Sequence, residues 1–333
     1  ITAALAISVT GYAGNATGSS DSTSASSVVE SSDTSTQTSA DASSTEESSD
    51  NGAEESKDNN SQEESKDLEA NYTKYTLDGD LTQHMIDMSR LNEGNKVRLA
   101  NVIKKLKNGE EVTVGFIGGS ITQGTSAGNE LCYAKLTADW LQQTYSSAKV
   151  NYVNAGIGAT GSYIGVHRVT TDLLSKNPDL VFVEFSVNDT TEFTERNKDS
   201  YDSLLRTIWK SSTNPAIITV ATTQEDGTSF QEQHAEIVKH YDLPMISYRN
   251  TILDTIGHGD IVWKDISDDN IHPNVPGHKI VSQLLQAYIS DVDKDIDNIS
   301  GNESDFSTPA TNASFENGSL LTLAQAGDAV TMN

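Results

Sequence analysis

Ser120, Asn188, Asp269 and His272 are the residues of this 333-residue chain whose types and settings suit nucleophilic chemistry, as nucleophile, hydrogen-bond donor, orienting acid and base. Ser120 lies in VTVGFIGGSITQG, residues 112–124. Val112, Val114, Phe116 and Ile117 read as a buried strand, Gly118 and Gly119 interrupt it, and Ser120 falls where the chain turns into a helix. A hydroxyl at the C-terminal end of a parallel strand faces the crevice in which open α/β sheets bind ligands, and glycines admit a substrate close to the backbone. Acyl transfer by such a serine needs a base for the hydroxyl proton, an acid to orient that base, and donors for the developing oxyanion.

DISDDNIHPNVPGHKI, residues 265–280, offers the base: Asp269 and His272 are three apart in a loop ended by Pro273. One turn of backbone can hold the carboxylate against one imidazole nitrogen while the other faces the serine. Asn188, in SVNDTTE just beyond the apolar run 180–185, can donate its side-chain amide into the same crevice, although asparagine at a strand end is also a turn former. The glycine-rich GIGATGS, residues 156–162, can aim backbone N–H groups there, and the residues alone leave open whether Gly158 or Ala159 donates. Trp263, six residues before Asp269, is suited either to stack on a sugar ring beside the site or to fill the core.

These residues need a scaffold, and the pattern around them is βαβ repetition. Met88, Leu91, Val97, Ala100, Ile103 and Leu106 predict one helix between Met85 and Lys107, stopped at Asn108-Gly109. After the strand ending near Ile117, the spacing predicts helix 130–145, strand 150–155, helix 163–175, strand 180–185, helix 198–210 and strand 216–222. Helix 230–240, a short strand 245–248 and a last helix 275–289 complete it. The fold class is therefore α/β, with three layers and a mainly parallel central sheet covered by helices on both faces.

The ordered set GGSIT, NAGIGATGS, SVND and DNIHP resembles the SGNH hydrolase (GDSL-type esterase) superfamily over roughly residues 110–290. The resemblance implies a flavodoxin-like sheet and a serine esterase. It makes Ser120 the nucleophile and first oxyanion donor, the GIGATGS backbone the second, Asn188 the third, His272 the base and Asp269 its orienting acid. Two positions depart from the family pattern: Gly119 stands where the name-giving motif has aspartate, and Ala159 stands about where many members have the oxyanion glycine. The first bears on the substrate pocket, where Gly119 and Trp263 are the expected contacts.

Composition sets the rest. Asp+Glu total 48 against Lys+Arg 22, a net charge of -26, which gives nucleic acid no basic stripe to bind. The single cysteine, Cys132, forms no intrachain disulfide and is expected in the core. Residues 1–14 read as the remnant of a secretion signal too short to span a bilayer, with Tyr12 where a lipoprotein site would have its cysteine. Residues 15–71 are a disordered acidic Ser/Thr-rich linker, suited to tethering an enzyme at a cell surface or acting as a plain spacer. The hydrolase domain is assigned to 72–290, and 291–333 to a second linker and the start of an accessory β-domain with a hairpin turn at Asn317-Gly318.

The function expected from these features is an extracellular or surface-attached bacterial esterase that removes a short acyl group, acetyl foremost, from carbohydrate without a cofactor. Two rivals exist. Gly156-x-Gly158-x-x-Gly161 matches a dinucleotide-binding fingerprint, with Asp179 or Glu184 as the ribose acid of an NAD-dependent oxidoreductase. The same fold with its activity lost would be a glycan-binding surface protein. No metal is expected: His167, His234, His240, His258 and His278 are scattered without ligand spacing, several of them on helix faces expected to be solvated.

Overall fold

The computed structural model describes residues 72–190, 193–316 and 318–320. The expected signal remnant and acidic linker lie outside them. In chain order the elements are α1 (Gln83–Ser89), β1 (Arg90–Asn92), α2 (Val97–Lys107), β2 (Glu111–Gly118), α3 (Ser120–Gln123), α4 (Tyr133–Thr144) and β3 (Lys149–Gly156). There follow α5 (Ser162–Asp172), a 3-10 turn (Leu174–Lys176), β4 (Leu180–Glu184), α6 (Thr194–Trp209), β5 (Ala216–Ala221) and α7 (Gln231–His240). The series ends with β6 (Met245–Ser247), α8 (Tyr248–Gly257), α9 (Trp263–Ile266) and α10 (Val275–Lys294).

Six strands form one sheet in the order β1-β6-β5-β4-β2-β3. All neighbours are parallel except β1, which pairs antiparallel with β6 at the edge. Alternation along β2 explains the layers: Val112, Val114 and Phe116 enter the core shared with α2, α4, α8 and α10, whereas Ile117 enters the one shared with α5, α6 and α7. Phe116 stacks on Phe182 of β4 with ring centroids 4.6 Å apart. Strand β4 is buried along its whole length, as the apolar run Leu180–Val183 requires, and carries Glu184 inside with it. Cys132 is fully buried in the first of the two cores.

The sequence pattern differs from the structure most in three places, besides the short helix α9, which it does not show. The single helix expected from Met85 to Lys107 is two helices with edge strand β1 between them. Thr82 starts the first by accepting Met85 N–H, and Gly94, with φ of 62°, turns the chain against Leu243 and Pro244 before α2. Helix α8 is masked in the sequence pattern because Thr251, Ile252, Thr255 and Ile256 are β-branched, while its N-cap, Ser247, is the last residue of a strand. The last helix runs on to Lys294, and the chain beyond Asp291 is no free linker: Phe306 stacks on Tyr241 at 3.9 Å and Trp209 at 4.5 Å. Glu316 pairs with Arg206 and Lys210, and no strand occurs among the described residues after Lys294. Asn317 of the expected hairpin and everything after Leu320 fall outside the description.

Candidate active site

Strand β2 ends at Gly118, Gly119 turns the backbone, and Ser120 opens the four-residue helix α3. As the first helical residue, Ser120 has no earlier turn to accept its N–H, which therefore points outward. Its Oγ lies 2.9 Å from His272 Nε2, across 152 residues of sequence. His272 Nδ1 lies 2.8 Å from Asp269 Oδ2. The other carboxylate oxygen accepts the backbone N–H groups of Ile271, at 2.7 Å, and His272, at 2.6 Å. Partial burial would raise the Asp269 pKa, but these bonds from His272 and Ile271 outweigh it and hold the group below the ordinary carboxylate range. An ionised Asp269 thus fixes the proton on Nδ1 and leaves the Nε2 lone pair toward Ser120.

The loop bearing this pair is held from beneath. Trp263 is 7% exposed, and its indole N–H donates to the Asp269 carbonyl at 2.6 Å. Of its two expected settings it therefore takes the core one and supports the loop. Ser267 Oγ lies 2.8 Å from the Asp269 carbonyl and 2.6 Å from that of His272. Gly277 lets α10 close on this loop, since a Cβ there would collide with the Ile266 carbonyl.

Asn188 stands beside Gly119, and a Cβ on Gly119 would run into its side-chain oxygen. The aspartate of the family motif therefore has no room here while Asn188 keeps its place. Around the GIGATGS turn, Gly158 N–H donates to Gln123 Oε1 at 2.9 Å. Ala159 has φ of 58°, the left-handed conformation natural to glycine, and its N–H makes no hydrogen bond among the described residues. The two candidates that the sequence left equal thus differ: one N–H is engaged, the other open.

Several supporting residues carry no sequence motif. Arg168 of α5, 1% exposed, donates to the carbonyls of Ala155, at 2.6 Å, and Gly118, at 3.0 Å, tying together the ends of β3 and β2. Asp189 accepts Ser162 N–H at 2.8 Å through one oxygen and meets His234 Nε2 at 3.0 Å through the other, so one side chain links the Asn188 turn to α5 and α7. Glu184 ends β4 fully buried, and that burial pushes its pKa up to about 7 against bonds from Thr222 and Ser186 that favour ionisation. The only hint was polarity inside otherwise apolar spacing.

The remaining histidines correct the sequence reading. His234 and His278 are completely buried and not on solvated faces. His278 Nδ1 accepts Tyr133 N–H at 3.1 Å, and burial lowers its pKa to about 4. The acids of the dinucleotide reading are also committed elsewhere. Asp179 lies just before β4, bonded to Lys105 and Thr113 N–H at 2.8 Å each, and Glu184 is inaccessible.

A three-layer α/β/α sheet with a serine, histidine and aspartate in contact at its strand ends defines an SGNH-type hydrolase domain. Residues 116–280 match the GDSL-like Lipase/Acylhydrolase family, and this domain of the chain belongs to it. Among solved structures, a two-domain esterase, CEX, described as active on acetylated mannans, is 37% identical with a TM-score of 0.66. A second structure of that enzyme, co-crystallised with mannopentaose, is also 37% identical, covers 69% of this chain and has a TM-score of 0.65. The chain spans 61% of the length of that esterase. Axe2, an acetylxylan esterase from Geobacillus stearothermophilus, is 20% identical over 54% of this chain and 94% of its own, with a TM-score of 0.44. No curated protein sequence matches the chain. Among the described residues, no helix is long and apolar enough to cross a membrane.

Proposed function

We propose that the chain is a serine esterase that releases short acyl groups, acetyl foremost, from acylated carbohydrate. The observation that carries this reading is the unbroken contact series from Ser120 Oγ through His272 to Asp269. Ser120 Oγ attacks the ester carbonyl as His272 Nε2 takes its proton, and Asp269 stabilises the imidazolium that forms. The oxyanion is received by the N–H groups of Ser120 and Ala159 and by the side-chain amide of Asn188, which stands beside Gly119. His272 then returns the proton to the departing sugar hydroxyl, leaving acetyl on Ser120. Water, activated by the same imidazole, releases acetate and restores the serine. No cofactor enters this scheme.

Carbohydrate as the acyl carrier is supported by the 37% identity to an esterase described as active on acetylated mannans. A cleft of about 340 Å³ beside α3, which none of Ser120, Asn188, Asp269 and His272 lines but which Gln123 joins to the GIGATGS turn, is lined also by Asn129, Glu130, Lys135, Tyr152 and Asn154, side chains that match hydroxyls better than acyl tails. The signal-like residues 1–14 followed by the acidic spacer 15–71 support an extracellular, surface-tethered setting as part of this proposal. The test is acetate release from acetylated mannans, xylans, pectins and peptidoglycan, with Ser120→Ala as control. Turnover of 4-nitrophenyl acetate at the same background rate by both proteins would refute the esterase and leave a glycan-binding protein. Faster turnover of the octanoate than of the acetate ester would favour a lipase.

A further inference from the structure

His84 of α1 lies 170 residues before Asp254 of α8, yet its Nε2 sits 2.7 Å from Asp254 Oδ2. His258, one helical turn after Asp254, brings Nδ1 to 3.4 Å from the same carboxylate oxygen. One ligand atom from each residue falls within a sphere where all three are no more than 4.8 Å apart. The setting is sheltered, with His84 3% exposed, Asp254 18% and His258 22%. Tyr72 covers it, stacking on His258 at 4.1 Å and meeting His84 edge-on at 5.5 Å. None of these residues shares a hydrogen bond with Ser120, Asn188, Asp269 or His272.

Two imidazoles and one carboxylate converging from two helices form the donor set of borderline metals, zinc above all, and an i, i+4 pair on one helix is a common way to supply two of the ligands. Metal–ligand bonds of about 2.0–2.2 Å in a tetrahedral site put neighbouring donor atoms about 3.4 Å apart. Two of the three donor separations are 2.7 and 3.4 Å and the third is no more than 4.8 Å, so side-chain rotations that open the first and close the third bring the set to that spacing. We propose that His84, Asp254 and His258 bind a divalent transition-metal ion of the zinc class, pinning α1 to the end of α8. Each imidazole binds the ion through the nitrogen that now faces Asp254, Nε2 of His84 and Nδ1 of His258, and carries its one remaining proton on the other ring nitrogen, any proton displaced passing to solvent; His258 thereby gives up its Nδ1–H bond to the Asp254 carbonyl, 3.0 Å long. The ligands then carry one negative charge, and the loaded centre one positive charge.

The full chain, stripped with EDTA, dialysed and titrated with zinc chloride, is expected to bind one equivalent at a Kd on the order of 1 µM or tighter, and to melt at a higher temperature when loaded. Cobalt(II) in place of zinc should give the visible ligand-field bands of a tetrahedral nitrogen/oxygen site. His258→Gln should weaken zinc binding by at least about tenfold and abolish those bands, while its metal-free circular dichroism matches the wild type. Should that variant fail to fold, His84→Gln and Asp254→Asn serve in its place. Equal zinc affinity in the wild type and the folded variants, or no tight equivalent in the wild type, would overturn the site.

Discussion

Two histidine–aspartate pairs hold nearly the same contact in this molecule and differ in almost everything else. In His272 and Asp269 the nitrogen–oxygen distance is 2.8 Å, the side chains are 21% and 46% exposed, and the second imidazole nitrogen meets a hydroxyl. In His234 and Asp189 the distance is 3.0 Å, exposure is 0% and 1%, and the second nitrogen has no hydrogen-bond partner among the described residues. The His234 ring instead lies flat on Tyr201, centroids 3.6 Å apart. A histidine beside a carboxylate is thus not a base by virtue of the carboxylate. On the proposed mechanism, access for a proton at the far nitrogen is what separates a base from a strut.

Removing each histidine should cost different things. His272→Ala is expected to lower kcat/KM for 4-nitrophenyl acetate by about 10⁴-fold while leaving the melting temperature nearly unchanged, because the ring is partly exposed and packs little. Asn188→Ala should follow with a loss of about 10²–10³-fold in kcat and little change in KM, as expected for a donor used only in the transition state. His234→Ala should reverse the pattern, costing about 3 kcal/mol in urea unfolding because Asp189 is left buried without its partner. If His234→Ala instead abolished turnover at full stability, the strut and the base would have been confused.

The effects that are smallest per unit of change concern pH and sharpen the comparison from a different side. Glu184, with a folded pKa of about 7, is raised above its ordinary value, so the folded state holds a proton the unfolded chain has lost. Its stabilising share is full at low pH and is lost as pH rises through about 7. His278, lowered to about 4, works in the opposite sense: the unfolded chain takes up a proton first, and stability falls as pH drops from about 6.5 to 4. The two slopes overlap and offset each other in the wild type. Glu184→Gln should unmask stability that rises with pH over this window, and His278→Asn stability that falls, each by up to about 1.4 kcal/mol per pH unit.

How far the sequence could be read follows the same division between local and distant partners. The Asp269–His272 pair was legible because three residues of loop suffice to close it, and Ser120 because glycine punctuation follows an apolar strand. The doubly covered sheet was legible from runs such as Leu180–Glu184. The Asp189–His234 strut spans 45 residues and Arg168 reaches back 50 to Gly118, and no spacing rule registers such distances. His84 escaped for the same reason, since its partners lie on a helix that β-branched residues concealed. Edge strand β1 is only Arg90–Asn92, too short for any period to show.

The tight fit between Gly119 and Asn188 has one more consequence, for anyone who would re-engineer this enzyme. The two positions form a single unit of design. Placing an aspartate at 119 alone should displace the Asn188 side chain and lower activity, so any change at this position must be a paired exchange, screened as double variants from the outset.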